Sequence, residues 1–158
     1  LVEHRQRRTG VTAFHRLARL PVIAPALFRG LGFPLPVLHL AQGDRGSIRG
    51  ATALAYAWPL RHLRDRVAPL ALAQMVPDGP DHVSIAALER AHACATECRG
   101  PVELVWGTRD PVLGGVLRHL ERELPTARVT RTDAGHFLQE EVPAELAAAI
   151  RRVAFATG

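Results

Sequence analysis

Lysine is absent from the 158 residues: all twenty basic side chains other than histidine are arginine. The net charge of +5 and the isoelectric point near 10.8 could suggest a nucleic-acid partner. But the arginines are spread among Leu and Ala, and the one dense basic run is "HRQRR", residues 4–8. With the abundant Ala, Gly, Pro and Leu, this reads as coding bias, and a DNA- or RNA-binding role, resting on charge alone, is the weakest reading. Cysteine is scarce too. Cys94 and Cys98 lie in "HACATEC", on one face of a predicted helix. Two thiols make no disulfide framework, so a reducing cytoplasm is expected. His92 beside them is compatible with a metal site, but a lone C-x3-C without a second pair reads as two semi-buried thiols, and no metal is expected. No apolar run approaches the ~18 residues of a membrane span, and mean hydropathy is near zero, so no membrane role is expected. The first residues, "LVEHRQRRTG", resemble no secretory leader and lack an initiating Met. They read as the interior of a longer reading frame.

What is present divides near residue 99. Residues 1–99 read as several short helices lying over something else, and residues 100–158 as alternating strand and helix. The first part carries "AFHRLARL", "APALFRGLGFPLPVLHLAQ" and "SIRGATALAYAW", broken by Pro21, Pro25, Pro34, Pro36, Pro59 and Pro69. Ser47 reads as the N-cap of a helix over 48–57 and Ser84 as that of "IAALERAHACATEC". After residue 99 the pattern changes. "PVELVW" and "ARVTRT" are β-prone runs, separated by the helical spacing of "GGVLRHLEREL" and followed by "PAELAAAIRRVA", with Pro143 in its first turn. Strand, helix, strand, helix predicts a βαβα unit with two parallel strands.

Parallel strands end on one edge of a sheet, where ligands of open α/β folds bind. Asp110 follows the first strand and His136, in "TDAGHFLQEEVP", the second. Strands ~4.8 Å apart let such loops meet. An Asp that accepts the Nδ1 hydrogen of a His fixes its tautomer and stabilises the imidazolium, leaving Nε2 free to take a proton. Each motif has a plainer reading by itself. The Asp of "RDP" can cap a turn before Pro111, and Gly-His-Phe can be a satisfied histidine in a tight loop. Together, on consecutive strand ends, they are far more specific.

The segment "GPVELVWGTRDPV", then "LPTARVTRTDAGHFLQEEVPAELAAAI", closely resembles the C-terminal part of the α/β-hydrolase fold superfamily. Asp133 stands where that pattern commonly has Gly. The stretch "AYAWPLRHLRDRVAPLALAQMVPD" is similar to the cap of the haloalkane dehalogenase-like branch. The resemblance implies that Asp110 is the triad acid and His136 the base, with Trp106 and Phe137 beside them. It implies an apolar small-molecule substrate and no cofactor. Trp58, Phe33 and Leu38 are candidate substrate-lining residues by their apolar bulk, although helix packing accounts for them as well. Glu140 and Glu141 read as charges favouring the N-terminal end of the last helix, without a catalytic role.

One part of the pattern is missing. The family sets a Ser or Asp nucleophile on a sharp strand-to-helix turn. The chain holds two serines, Ser47 and Ser84, and neither is flanked by glycines two before and two after. Asp44, in "AQGDRGS", comes nearest among the acids, but no strand precedes it. An H-G-type oxyanion loop is absent too. The expectation is a C-terminal hydrolase segment whose partner is a missing N-terminal hydrolase segment, inactive alone. The alternative is a non-catalytic, degenerate module that binds a partner through the open edge of its sheet.

Overall fold

The computed structural model describes residues 13–156, so the basic run at 4–8 lies outside the described residues. In chain order the elements are α1 (Ala13–Leu17), α2 (Ile23–Pro25), α3 (Gly50–Ala57), α4 (Val67–Gln74), α5 (Ile85–Thr96), β1 (Glu103–Gly107), α6 (Leu117–Glu123), β2 (Arg128–Thr132), α7 (Leu138–Glu141) and α8 (Pro143–Ala154). A π-type stretch, Ala26–Gly30, continues α2, and 3-10 turns cover Leu35–Ala41, Trp58–Leu60 and Gly114–Val116. The prolines explain this fragmentation. Pro25, Pro34 and Pro36 lack the N–H that an uninterrupted helix over "APALFRGLGFPLPVLHLAQ" needs, and the apolar run breaks into short pieces of differing pitch. Among the described residues no single helix is long and apolar enough to cross a membrane.

Two compact units are present: residues 13–33 with 60–91, and residues 34–59 with 92–156. The first is all helical. Its core joins Ala18, Ala24, Phe28, Leu70 and Ala73, with Phe14, Leu27 and Phe33 packed against them. Phe28 is fully buried and meets the Phe33 ring edge-on, centroids 5.2 Å apart. Burial of such a ring is worth about 1.5–3 kcal/mol. The short helices leave carbonyls without intrahelical donors, and long polar side chains cover them. Arg66 donates to the carbonyls of Leu60, Arg29 and Gly30. Gln74 donates to Ala18, and Arg19 binds Asp78 at 2.8 Å. His15 is buried nearby; its imidazole pKa is lowered first by desolvation, then by the Arg19 charge.

The second unit holds the strands. β1 and β2 pair in parallel, from Glu103 opposite Arg128 to Gly107 opposite Thr132. Among the described residues these two strands make up the whole sheet. The 3-10 turn at 114–116 and α6 provide the crossover. α8 packs on β1, and there a charge replaces an apolar contact. The Glu103 side chain is only 3% exposed and is bound by Arg152, through Nε at 2.9 Å and through Nη2, and by the Thr130 hydroxyl at 2.9 Å. The Arg152 bond is the main cause holding the Glu103 carboxyl below its ordinary range. The enclosed carboxylate is fully partnered, and through the 36% exposed Arg152 side chain it ties α8 to β1.

Candidate active site

Hydrogen bonding continues past the last residues of the strands. Thr108 N–H and its hydroxyl both donate to the Thr132 carbonyl at 2.8 Å, and Arg109 N–H donates to Ala134 at 3.1 Å. The Thr132 hydroxyl returns a bond to the Trp106 carbonyl. The two loops therefore leave the sheet zipped together. Gly107 and Gly135 make this possible. A Cβ on Gly107 would overlap the carbonyl oxygens of Ala134 and Gly135, and one on Gly135 would overlap the backbone of residues 41–43.

At the end of this zipper the Asp110 Oδ2 and the His136 Nδ1 are 3.0 Å apart. The other Asp110 oxygen accepts the N–H groups of Val112 at 2.7 Å and Leu113 at 3.0 Å. Turn-capping and histidine-pairing, opposed readings of "RDP" in the sequence, are both performed, one by each oxygen. The Asp110 side chain is 5% exposed and that of His136 29%. A carboxylate at this position favours the neutral tautomer with its proton on Nδ1, which leaves Nε2 as the acceptor nitrogen. Nε2 has no hydrogen-bond partner among the described residues.

The histidine backbone is held from a distant part of the chain. His136 N–H donates to the Ala41 carbonyl at 2.8 Å. Phe137 N–H donates to the Gln42 Oε1 at 2.8 Å, and the Gln42 amide returns a bond to the Phe137 carbonyl at 3.2 Å. Gln42 is buried. Glu141, in α7, accepts from Gly43 N–H at 3.1 Å, Asp44 N–H at 2.7 Å and Gly135 N–H at 3.0 Å. Tyr56 of α3 donates its hydroxyl to Glu140 at 2.9 Å, accepts from Gln139 at 2.8 Å, and meets the Phe137 ring at 5.6 Å. Burial and then the Glu140 bond raise the Tyr56 pKa. Sequence reasoning missed Gln42 and Tyr56 as parts of this assembly, and gave Glu140 and Glu141 only a helix-end role. Ser47 does not cap α3; its hydroxyl donates to the Asp44 carbonyl and accepts from Gln42.

Phe137 is half-buried and edge-on to the His136 ring at 5.1 Å. Trp106 is half-buried on β1, and its indole Nε1 is enclosed without a hydrogen-bond partner. Leu38 is half-buried on the 3-10 turn Leu35–Ala41. Trp58 is 68% exposed at the end of α3. Phe33 belongs to the aromatic cluster of the all-helical unit. A cleft of about 500 Å³ runs along Gly43, Asp44, Ser47, Arg109, Asp133 and Glu141, and neither Asp110 nor His136 lines it. Among the described residues no group of three or more His, Cys, Asp or Glu side chains is placed to hold a metal ion. Cys94 and Cys98 are exposed free thiols, and His92 faces Glu123 at 3.2 Å.

No family model matches the chain, and no solved structure matches it. The chain is similar to a haloalkane dehalogenase of Mycobacterium marinum (strain ATCC BAA-535 / M), with 30% identity over 139 residues. That stretch covers 86% of this chain and 44% of the relative, so the chain spans less than half the length of the curated protein it matches. Mixed helix and strand, a parallel strand pair and this similarity together support a hydrolase-like segment of α/β type.

Proposed function

We propose that this chain is the C-terminal segment of an α/β-hydrolase of the haloalkane dehalogenase-like branch. Residues 1–99 serve as its cap and residues 100–158 as the last βαβα part of its core. Asp110 is the acid and His136 the base. The reading is carried by the 3.0 Å contact between Asp110 and His136 at one rim of a parallel strand pair. The nucleophile comes from a hydrolase segment outside these residues, and the chain by itself is inert. Losing one oxyanion donor alone costs about 3–4 kcal/mol of transition-state stabilisation, and losing a nucleophile costs more.

In the assembled site His136 Nε2 takes a proton while Asp110 stabilises the resulting imidazolium. With an Asp nucleophile, carboxylate oxygen displaces halide from carbon and forms an alkyl ester. Water, deprotonated by His136, then attacks the ester carbonyl and releases the alcohol. With a Ser nucleophile, the hydroxyl proton passes to His136 as oxygen attacks an ester carbonyl, and an acyl-enzyme forms. Trp106 and Phe137 flank the base, and Trp58 and Leu38 contribute apolar lining for a small substrate. No cofactor is needed for these steps, and the cytoplasm is the proposed compartment.

The test is release of halide from 1-haloalkanes and of nitrophenolate from p-nitrophenyl esters. The chain is assayed alone and extended by its upstream coding sequence. Turnover by the extended protein, lost in His136→Ala and absent from the chain alone, is expected. Turnover by the chain alone that His136→Ala abolishes contradicts the division of roles. The second reading, a non-catalytic module, rests on the edge of β1 that has no strand partner among the described residues. A stop codon directly upstream followed by a start at this position favours it.

A further inference from the structure

We propose that Glu141 is the positioning residue of the histidine base, acting with Gln42 as a clamp on the loop that carries His136; this rests on the reading of Asp110 and His136 given above. Three consecutive backbone donors, at residues 135–137, are each held by a defined acceptor. Gly135 N–H is held by the Glu141 carboxylate, His136 N–H by the Ala41 carbonyl and Phe137 N–H by the Gln42 side chain. The last two acceptors are of use only if residues 41–44 stay in place. Glu141 ensures that as well, because the oxygen that takes Gly135 N–H also takes Gly43 N–H, while its second oxygen takes Asp44 N–H. One carboxylate thus ties together both sides of the contact. Bonds from N–H groups to an ionised acceptor are stronger than neutral ones and directional. Fixing the backbone on each side of His136 holds the root of its side chain within reach of Asp110.

A charge that merely favoured a helix end would behave differently. It would need no defined partner, and its neutral amide would lose only a small interaction. The clamp instead predicts a graded response. Glu141→Ala removes all three acceptor contacts. Glu141→Gln keeps one oxygen for Gly43 and Gly135 and turns a donor toward Asp44, so a single bond is lost.

The experiment is NMR on the labelled chain, reading amide exchange and the His136 Nδ1 proton resonance. In Glu141→Ala, exchange at Gly43, Asp44 and Gly135 rises by about tenfold or more, while amides in β1 and β2 keep their protection. The Nδ1 proton signal is lost. In Glu141→Gln only Asp44 exchanges faster and the signal persists; Glu145→Ala, on the exposed face of α8, changes nothing. Unchanged exchange at Gly43, Asp44 and Gly135 in Glu141→Ala overturns the proposal. A signal that survives in Glu141→Ala but vanishes in Asp110→Asn overturns it too, while leaving the acid–base pair intact. Should wild type itself show no Nδ1 signal, the pair reading fails, and amide exchange alone decides the clamp. Should Glu141→Ala unfold, Glu141→Gln decides: selective exchange at Asp44 supports the clamp, and uniform acceleration overturns it.

Discussion

Gly135→Ala isolates the close approach on which the histidine loop depends. Gly135 is absent from the residues with positive φ, so alanine meets no backbone strain there. In open space the change would stabilise by about 0.4–1 kcal/mol through the unfolded chain. Here an added Cβ would lie 2.5 Å from Gln42 Cα and 2.5 Å from Gly43 N, and closer still to the Ala41 carbonyl oxygen. All three are backbone atoms that no rotamer change can move. Segment 41–44 must be displaced. The bonds at risk are His136 N–H to Ala41, the two between Gln42 and Phe137, and those of Gly43 and Asp44 to Glu141. At about 0.5–1.5 kcal/mol each, their combined loss is bounded near 2.5–7.5 kcal/mol. A local shift of segment 41–44 need not break all five, and the expected destabilisation is about 2–4 kcal/mol. For a chain of this length that lowers Tm by about 5–15 °C. Urea unfolding followed by circular dichroism measures it. A variant as stable as wild type, or more stable, refutes the close approach and with it the docking of residues 41–44 on the histidine loop.

Phe28→Ala empties the centre of the all-helical unit and costs about 3–5 kcal/mol, read by the same unfolding experiment. Because Arg152 depresses the Glu103 pKa, its contribution is present above the ordinary value of 4.5 and is lost as pH falls through the lower folded-state value. Glu103→Gln should flatten the acid limb of a Tm-against-pH curve and lower Tm near neutrality. His15 also has a depressed folded-state pKa, so the unfolded chain binds the proton more readily, and stability falls as pH drops below the ordinary 6.5. His15→Gln should reduce that slope between pH 7 and 5.

The C-terminal half was legible because its signals are local. Two β-prone runs, an intervening helical period and Pro143 placed the strands and helices within a few residues. Asp110 and His136 stood out because each follows a strand directly, and parallel topology then brings them to one edge. The apolar stretch from Ile23 to Ala41 was harder. The prolines announced short helices there, but nothing local told that the pieces at Ala26–Gly30 and Leu35–Ala41 would differ in pitch. Gln42 and Tyr56 carried no local signal at all. Their partners lie 95 and 84 positions away, and a lone Gln or Tyr has no pattern that points so far. Glu141 was visible as a charge beside a helix start, but that position says nothing about the amides of residues 43 and 44. Ser47 misled for a related reason: a hydroxyl before a helical run suits a cap, yet here it meets Gln42 and Asp44.

The central claim is that Asp110 sets the tautomer of His136 so that Nε2 is the base. The direct measurement is nitrogen-15 NMR of the imidazoles at a pH where they are neutral. The account predicts a protonated Nδ1 and a bare Nε2 in His136. Asp110→Asn should reverse this. The N–H groups of Val112 and Leu113 hold the side-chain oxygen, so the new amide nitrogen faces Nδ1 and forces the proton to Nε2. A wild-type His136 protonated at Nε2, or a tautomer indifferent to Asp110→Asn, contradicts the claim.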